Sequence, residues 1–230
     1  MSQPEIIAII PARSGSKGLP DKNIKNFAGK PLLAHTIIAA QQSGIFSEIF
    51  VSTDSEKYAT IARRYGANVP FLRADNLATD NAKIADVIVD LIWQLRKNGK
   101  KYSTFMLLQP TSPLRTAIDI RDSYNYFLTI GAKNVVGVCE AEHSPLWMNT
   151  LPENGSMENF LQNINRNRQE LPQYYRINGA IYIAEIENYL VEKSFYERDS
   201  YAFKMPKERS VDIDSELDFL WAETILNYYK

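Results

Sequence analysis

The chain has 230 residues, 45% apolar and 23% charged, which suits one large folded domain and excludes a disordered or fibrous chain. Its 26 basic and 27 acidic side chains nearly cancel, so no overall basic field attracts nucleic acid or an anionic membrane, and only a local basic patch can bind an anion. One cysteine, Cys139, excludes an intrachain disulfide and fits a reducing cytoplasm, and two histidines leave little for a zinc site built on nitrogen and sulfur.

Taken in chain order, short apolar runs alternate with longer helical patterns. Glu5–Ile10 predicts a buried, β-branched strand, far shorter than the roughly 20 residues of a membrane span. With Glu5 before it and Arg13 after it, the run does not resemble a targeting segment. Pro31 opens a predicted helix that ends at Ser43 before Gly44. Glu48–Ser52 predicts a strand, Glu56–Tyr65 a helix stopped by Gly66, and Val69–Leu72 a short strand. Ala82–Lys97 is a long amphipathic helix with Val87, Leu91 and Leu95 at spacings of four. Thr104–Leu108 predicts a strand, Ile118–Leu128 a helix and Asn134–Cys139 a strand. This alternation argues for an α/β fold, with a parallel sheet and helices on both faces, in a single domain over 1–230.

After Cys139 the pattern breaks. Residues 140–173 are polar and irregular, with Pro145, Pro152, Gly155 and Pro172, too long for a plain loop and suited to a flap or dimerisation arm. They also carry Leu146, Trp147, Met148, Leu151, Met157, Phe160 and Leu161, a heavy apolar load outside a sheet. Ala180–Ala184 and Ala202–Met205 predict the last strands, and Glu216–Tyr229 a final helix.

Chemistry concentrates where strands end. The first strand runs into a loop holding Arg13, Lys17, Lys22 and Lys25, with Gly15 and Gly18 able to turn backbone amides inward as an anion nest. In open α/β sheets, ligands sit outside the carboxyl ends of strands, and this loop leaves such an end. It contains neither a P-loop nor a G-x-G-x-x-G pattern. The Thr104–Leu108 strand ends in Gln109-Pro110-Thr111-Ser112-Pro113, which either presents short hydrogen-bonding groups on stiffened backbone or caps the next helix. Asp212 and Asp214, two apart, point the same way on extended backbone. They can hold a hard cation, or Asp214 or Ser215 can cap the final helix with Glu216 or Asp218 on its dipole. Arg168 and Arg176 can clamp a carboxylate or form surface ion pairs. His143 has no evident acid-base partner in the sequence, His35 lies within a predicted helix and Cys139 ends a buried strand, so structural roles are expected of all three.

These stretches together resemble the CMP-acylneuraminate (CMP-sialic acid) synthetases, the N-acylneuraminate cytidylyltransferases. The pattern A-R-x-x-S-K-G-x-x-x-K-N is met by Arg13, Ser16, Lys17, Gly18, Lys22 and Asn23. L-L-Q-P-T-S-P-L-R is met in full from Leu107 to Arg115, R-Q-x-L-P and N-G-A-I-Y-I from Arg168 to Ile183, and D-I-D by Asp212 and Asp214. The resemblance implies a nucleotidyltransferase-type (Rossmann-like) three-layer sandwich, with residues 140–173 reaching to the partner of a homodimer. It implies that CTP reacts with a nine-carbon 2-keto sugar acid to give a CMP-sugar and pyrophosphate.

Arg13, Ser16, Lys17 and Lys22 are then expected around the triphosphate, Asn23 and Arg73 at the cytidine, and Gln109 and Thr111 at the sugar. Arg168, with Arg176, is expected on the sugar carboxylate, and Mg2+ or Mn2+ on Asp212 and Asp214. Lys22, Arg13 and Asp214 are the expected catalytic groups. Where sialic-acid enzymes often show serines after L-A-x-D, this chain has Lys83; where they often carry lysine after H-P-L, it has Trp147. The more apolar legionaminic or pseudaminic acids are therefore alternatives. Kdo fits less well, because its enzymes lack the S-K-G-x-x-x-K-N continuation. A glycosyltransferase reading Asp212-Ile213-Asp214 as D-x-D, or a non-catalytic nucleotide-binding module, are rivals from other classes.

Overall fold

The early apolar run becomes the centre of the sheet: Ile7, Ala8, Ile9 and Ile10 are fully buried. A strand apolar on both faces needs cover on both faces, and the rest of the chain supplies it. The structure is a computed structural model and describes residues 5–15, 18–161 and 171–229. In chain order its elements are β1 (Ile6–Pro11), β2 (Asn26–Phe27), β3 (Lys30–Pro31), α1 (Leu32–Ser43), β4 (Glu48–Ser52), α2 (Glu56–Arg64) and α3 (Ile84–Lys97). They continue with β5 (Thr104–Leu107), α4 (Ala117–Ile130), β6 (Asn134–Glu140), β7 (Tyr175–Glu185), α5 (Ile186–Glu192), β8 (Ser200–Lys204) and α6 (Glu216–Tyr228).

The main sheet has six strands in the order β4-β1-β5-β7-β6-β8. Pairing is parallel for β4 with β1, β1 with β5 and β6 with β8, while β7 runs antiparallel to both neighbours. Five strands therefore end at one edge, and β7 begins there. Side chains of α1, α2 and α4, including Ile37, Tyr58 and Phe127, fill one face. Ile88, Leu91 and Leu95 of α3 and Tyr189 of α5 fill the other. The expected mostly parallel α/β sandwich is thus the fold observed.

A third apolar cluster matters for the site. Phe27 and Leu32 pack with Leu114, Ile213, Phe219 and Ala222, so α6 is docked on the small β2–β3 hairpin. Ile213 is fully buried, which fixes the two aspartates flanking it.

Three local expectations change. Val69–Leu72 is not a strand: its neighbour Asn68 makes one isolated bridge to Phe50, and Pro70, having no N–H, cannot extend the ladder. The β2–β3 hairpin and the seven-residue α5 are too short to show a period. Strand β7 starts at Tyr175 rather than near Ala180 because polar Arg176 and Asn178 mask its periodicity. Between the pairs Val136–Tyr182 and Val138–Ile177, two steps along β6 match five along β7. This bulge holds Gly179 at φ 73°.

The excursion leaves after β6 and returns at β7, its base closed by the Ala141 N–H donating to the Tyr174 carbonyl at 2.9 Å. Its described part contains one 3-10 turn, Pro145–Trp147.

Candidate active site

Loops from the carboxyl edge surround a cleft of about 560 Å3. Arg13, Lys22, Asn23, Arg73, Gln109, Thr111, Asp212 and Asp214, all singled out in the sequence, line it. Ser16, Lys17 and Arg168 lie outside the described residues.

The loop after β1 is clamped by its backbone. Ser14 donates its N–H to Asp54 at 2.7 Å and its hydroxyl to the same carboxylate. Burial pushes the Asp54 carboxyl up, but these bonds outweigh it and hold it below the usual range. Asn23 donates to the Arg13 carbonyl at 3.1 Å. Asp21, in a left-handed conformation at φ 52°, accepts from the Tyr58 hydroxyl and the Lys57 ammonium, each at 3.0 Å. It opens the 3-10 turn that presents Lys22 and Asn23.

Lys22 then reaches the far end of the chain. Its ammonium is buried, 2.9 Å from an Asp214 oxygen and 2.6 Å from the Ile213 carbonyl. A Cβ on Gly18 would lie 2.9 Å from the Asp214 carbonyl oxygen, so glycine lets the basic loop lie directly on the acidic segment. The cap of α6 is Ser215 in a reciprocal box with Asp218. That frees the Asp214 carboxylate from helix capping.

Asp212 is held differently. Burial, reinforced by the charge of Asp214, pushes its carboxyl up, against the Thr111 side chain and the charges of Lys22 and Arg176. Its Oδ1 is buried with no hydrogen-bond partner among the described residues. Among them no group of three histidine, cysteine or acidic side chains gathers around a metal position. An unpaired buried carboxylate oxygen beside a second carboxylate fits a hard cation that takes its remaining ligands from substrate and water, the usual manner of Mg2+.

The segment carrying this pair is stitched in from three sides. The Ile213 N–H donates to the Thr111 carbonyl at 2.8 Å. Asn178 donates to the Ser210 hydroxyl at 2.9 Å. Arg209 forks onto Asp119, the buried partner in the α4 capping box, with bonds of 2.9 and 3.0 Å. A Cβ on Gly179 would meet Gln109 Oε1 at 3.0 Å, Asp212 Oδ2 at 3.3 Å and Ser112 Oγ at 3.4 Å, so the bulge of β7 packs closely behind Gln109 and Asp212 of the cleft.

Among the described residues, two arginines are buried. Arg73 donates to the Ser52 carbonyl at 2.7 Å and the Ser52 hydroxyl at 3.1 Å, and burial lowers its pKa to about 10. Arg115, enclosed entirely, donates to the carbonyls of Ala180 and Gln109 and to the Thr36 hydroxyl, and burial takes its pKa to about 9. It staples the Gln109 loop to β7. Arg176 grips Glu142, which raises its pKa, and lines a neighbouring groove of about 750 Å3 that shares Asp212 with the cleft. That groove also meets Trp221, Ile225 and Tyr228 of α6. Trp147 lies in the excursion with His143 and Tyr174, and Lys83 immediately precedes α3.

Sequence reasoning assigned no role to Asp80, which lines the cleft and accepts from Arg13 at 2.6 Å. Nothing local marks it, because its partner is 67 positions away.

A mostly parallel sheet, with cations and a pair of carboxylates gathered at its carboxyl edge, places the cleft where open α/β folds take their ligands. Residues 7–229 match the family model described as Cytidylyltransferase, and the chain belongs to that family. It is 38% identical over 224 residues to the CMP-N,N'-diacetyllegionaminic acid synthase of Legionella pneumophila, covering 96% of each chain. It is 43% identical over 217 residues to an N-acylneuraminate cytidylyltransferase of Streptococcus agalactiae, covering 93% of this chain and 51% of that one. The chain thus spans about half the length of the streptococcal relative. In fold it is similar to a CMP:2-keto-3-deoxy-manno-octonic acid synthetase solved with CTP, at a TM-score of 0.74 and 15% identity, over 98% of this chain and 100% of that one.

Proposed function

We propose that the protein transfers the cytidylyl group of CTP to the anomeric hydroxyl of a nine-carbon 2-keto sugar acid, N-acetylneuraminate or a close relative, releasing pyrophosphate. The acceptor oxygen forms a bond to the α-phosphorus while the bond from that phosphorus to the β-phosphate oxygen breaks. The observation carrying this reading is the meeting of Arg13, Lys22, Asp212 and Asp214 in one cleft, contributed by opposite ends of the chain.

Phosphate oxygens gain charge in such a transfer, and fixed cations stabilise it without reorganising. Arg13, Lys17 and Lys22 supply that charge and Ser16 adds a hydrogen-bond donor; Asn23 and Arg73 face the nucleoside. Gln109 and Thr111 hold the sugar, and Arg168 and Arg176 take its carboxylate. Asp212, shared by the cleft and the groove of Arg176, stands between donor and acceptor. Asp212 and Asp214 would hold Mg2+ or Mn2+. When bound, the cation supplies charge to phosphate oxygens and lowers the pKa of a hydroxyl.

The active form in this reading is a cytoplasmic homodimer joined through residues 140–173. No helix among the described residues is long and apolar enough to cross a membrane. Aromatic Trp147 favours a less hydroxylated acid, in keeping with the legionaminic acid synthase among the relatives.

Pyrophosphate release with CTP and a panel of sialic, legionaminic and pseudaminic acids and Kdo tests the reading. Release with CTP and at least one nine-carbon acid is expected, and none with either substrate alone. Release with none of the panel, or consumption of a CMP-sugar without pyrophosphate, would overturn it.

A further inference from the structure

We propose that Asp80 is a stand-in for substrate phosphate: it holds the Arg13 guanidinium in the free enzyme and yields it when a polyphosphate enters. This rests on the reading of the cleft as the CTP site.

The backbone of Arg13 is fixed by Asn23 and by the Ser14–Asp54 bonds next to it. Its side chain is held from the other wall of the cleft by Asp80 at 2.6 Å. Arg73 lies near enough for the charge of Arg13 to lower its pKa, so the cations repel one another. A carboxylate on Arg13 offsets that repulsion and keeps the guanidinium extended into the cleft. Both partners are about one third exposed, at 31% and 37%. An ion pair so open to water is weak. A phosphate group has more charge and can take the guanidinium fork by two bonds at once. The exchange therefore runs toward substrate, and Asp80 recaptures Arg13 as pyrophosphate departs.

Equilibrium binding of CTP, pyrophosphate and CMP to wild type, Asp80→Asn, Arg13→Met and the double variant tests this. Asp80→Asn should tighten CTP and pyrophosphate about two- to fivefold, the range of an exposed pair, and leave CMP unchanged. In turnover, pyrophosphate should inhibit that variant more strongly by the same factor. In the Arg13→Met background, the tightening by Asp80→Asn should be clearly smaller. Asp80→Glu, which keeps the charge, should bind like wild type, which separates loss of the pair from damage to the loop. Weaker CTP binding in Asp80→Asn would overturn the proposal. So would equal tightening in the Arg13→Met background, which would make Asp80 a general repeller of anions. Wild-type CTP affinity in Arg13→Met alone would instead remove Arg13 from the triphosphate site, and the cleft reading with it.

Discussion

Asp212 illustrates how a residue proposed to hold a cation costs the fold that carries it. In the folded state its carboxyl holds a proton more tightly than an ordinary aspartate, because burial disfavours the charge. Its contribution to stability is therefore present below the ordinary pKa of 3.8 and is lost as pH rises through the elevated folded value. Asp212→Asn removes that loss. The variant is expected to melt higher than wild type at pH 7 without added cation, the gap closing as pH falls toward 4, while cytidylyl transfer is abolished. Melting curves across pH check it, and a variant that melts lower than wild type at pH 7 would contradict it. Asn keeps the size of the side chain but lacks the full charge that binds a cation.

At the level of elements, the acidic segment depends on contacts made elsewhere. Residues 210–215 belong to neither helix nor strand, so their position comes from Ile213 in the third core cluster and from the Arg209–Asp119 fork of the preceding 3-10 turn. Asp119 keeps its Thr116 cap when Arg209 is removed, so α4 itself should survive. Arg209→Ala is expected to lower kcat and raise the cation concentration for half-activity about 10-fold, as for outer partners of metal ligands, with unchanged helix content. Lysine lacks the fork and should rescue poorly. Cation titrations of both variants, beside circular dichroism, decide this. The bulge in β7 works to the same end: a regular strand would place no glycine at φ 73° against Gln109, Ser112 and Asp212.

For the molecule as a whole, exposed apolar side chains collect in the excursion. Leu151 and Met157 are each 62% exposed and Met148 57%, beside exposed Leu146 and Trp147. Such a set on a monomer marks an interaction surface, and a second copy of the chain is the partner proposed above. Sedimentation equilibrium should give a dimer for wild type. Leu151→Asp combined with Met157→Asp should give a folded monomer with reduced activity. A fully active wild-type monomer at assay concentration would remove the dimer from the proposal.

The sequence alone determined much of this. The period of apolar residues set the order of strands and helices, because each element must bury a face and its spacing shows which one. Gly44 stops α1 where the chain turns left-handed. The motif loops could be assigned to strand ends, and so to the sheet's carboxyl edge, before any contact was known. Tertiary structure alone decided which loops meet. Lys22 and Asp214 are 192 positions apart, Arg13 and Asp80 67. Local spacing carries no record of such pairs, since they follow from strand order: antiparallel β7 carries the chain away from the cleft, and parallel β8 returns it to the carboxyl edge ahead of Asp212 and Asp214. Only the tertiary structure took helix capping from Asp214: Ser215 fills the cap of α6, and Lys22 reaches Asp214 from the other end of the chain.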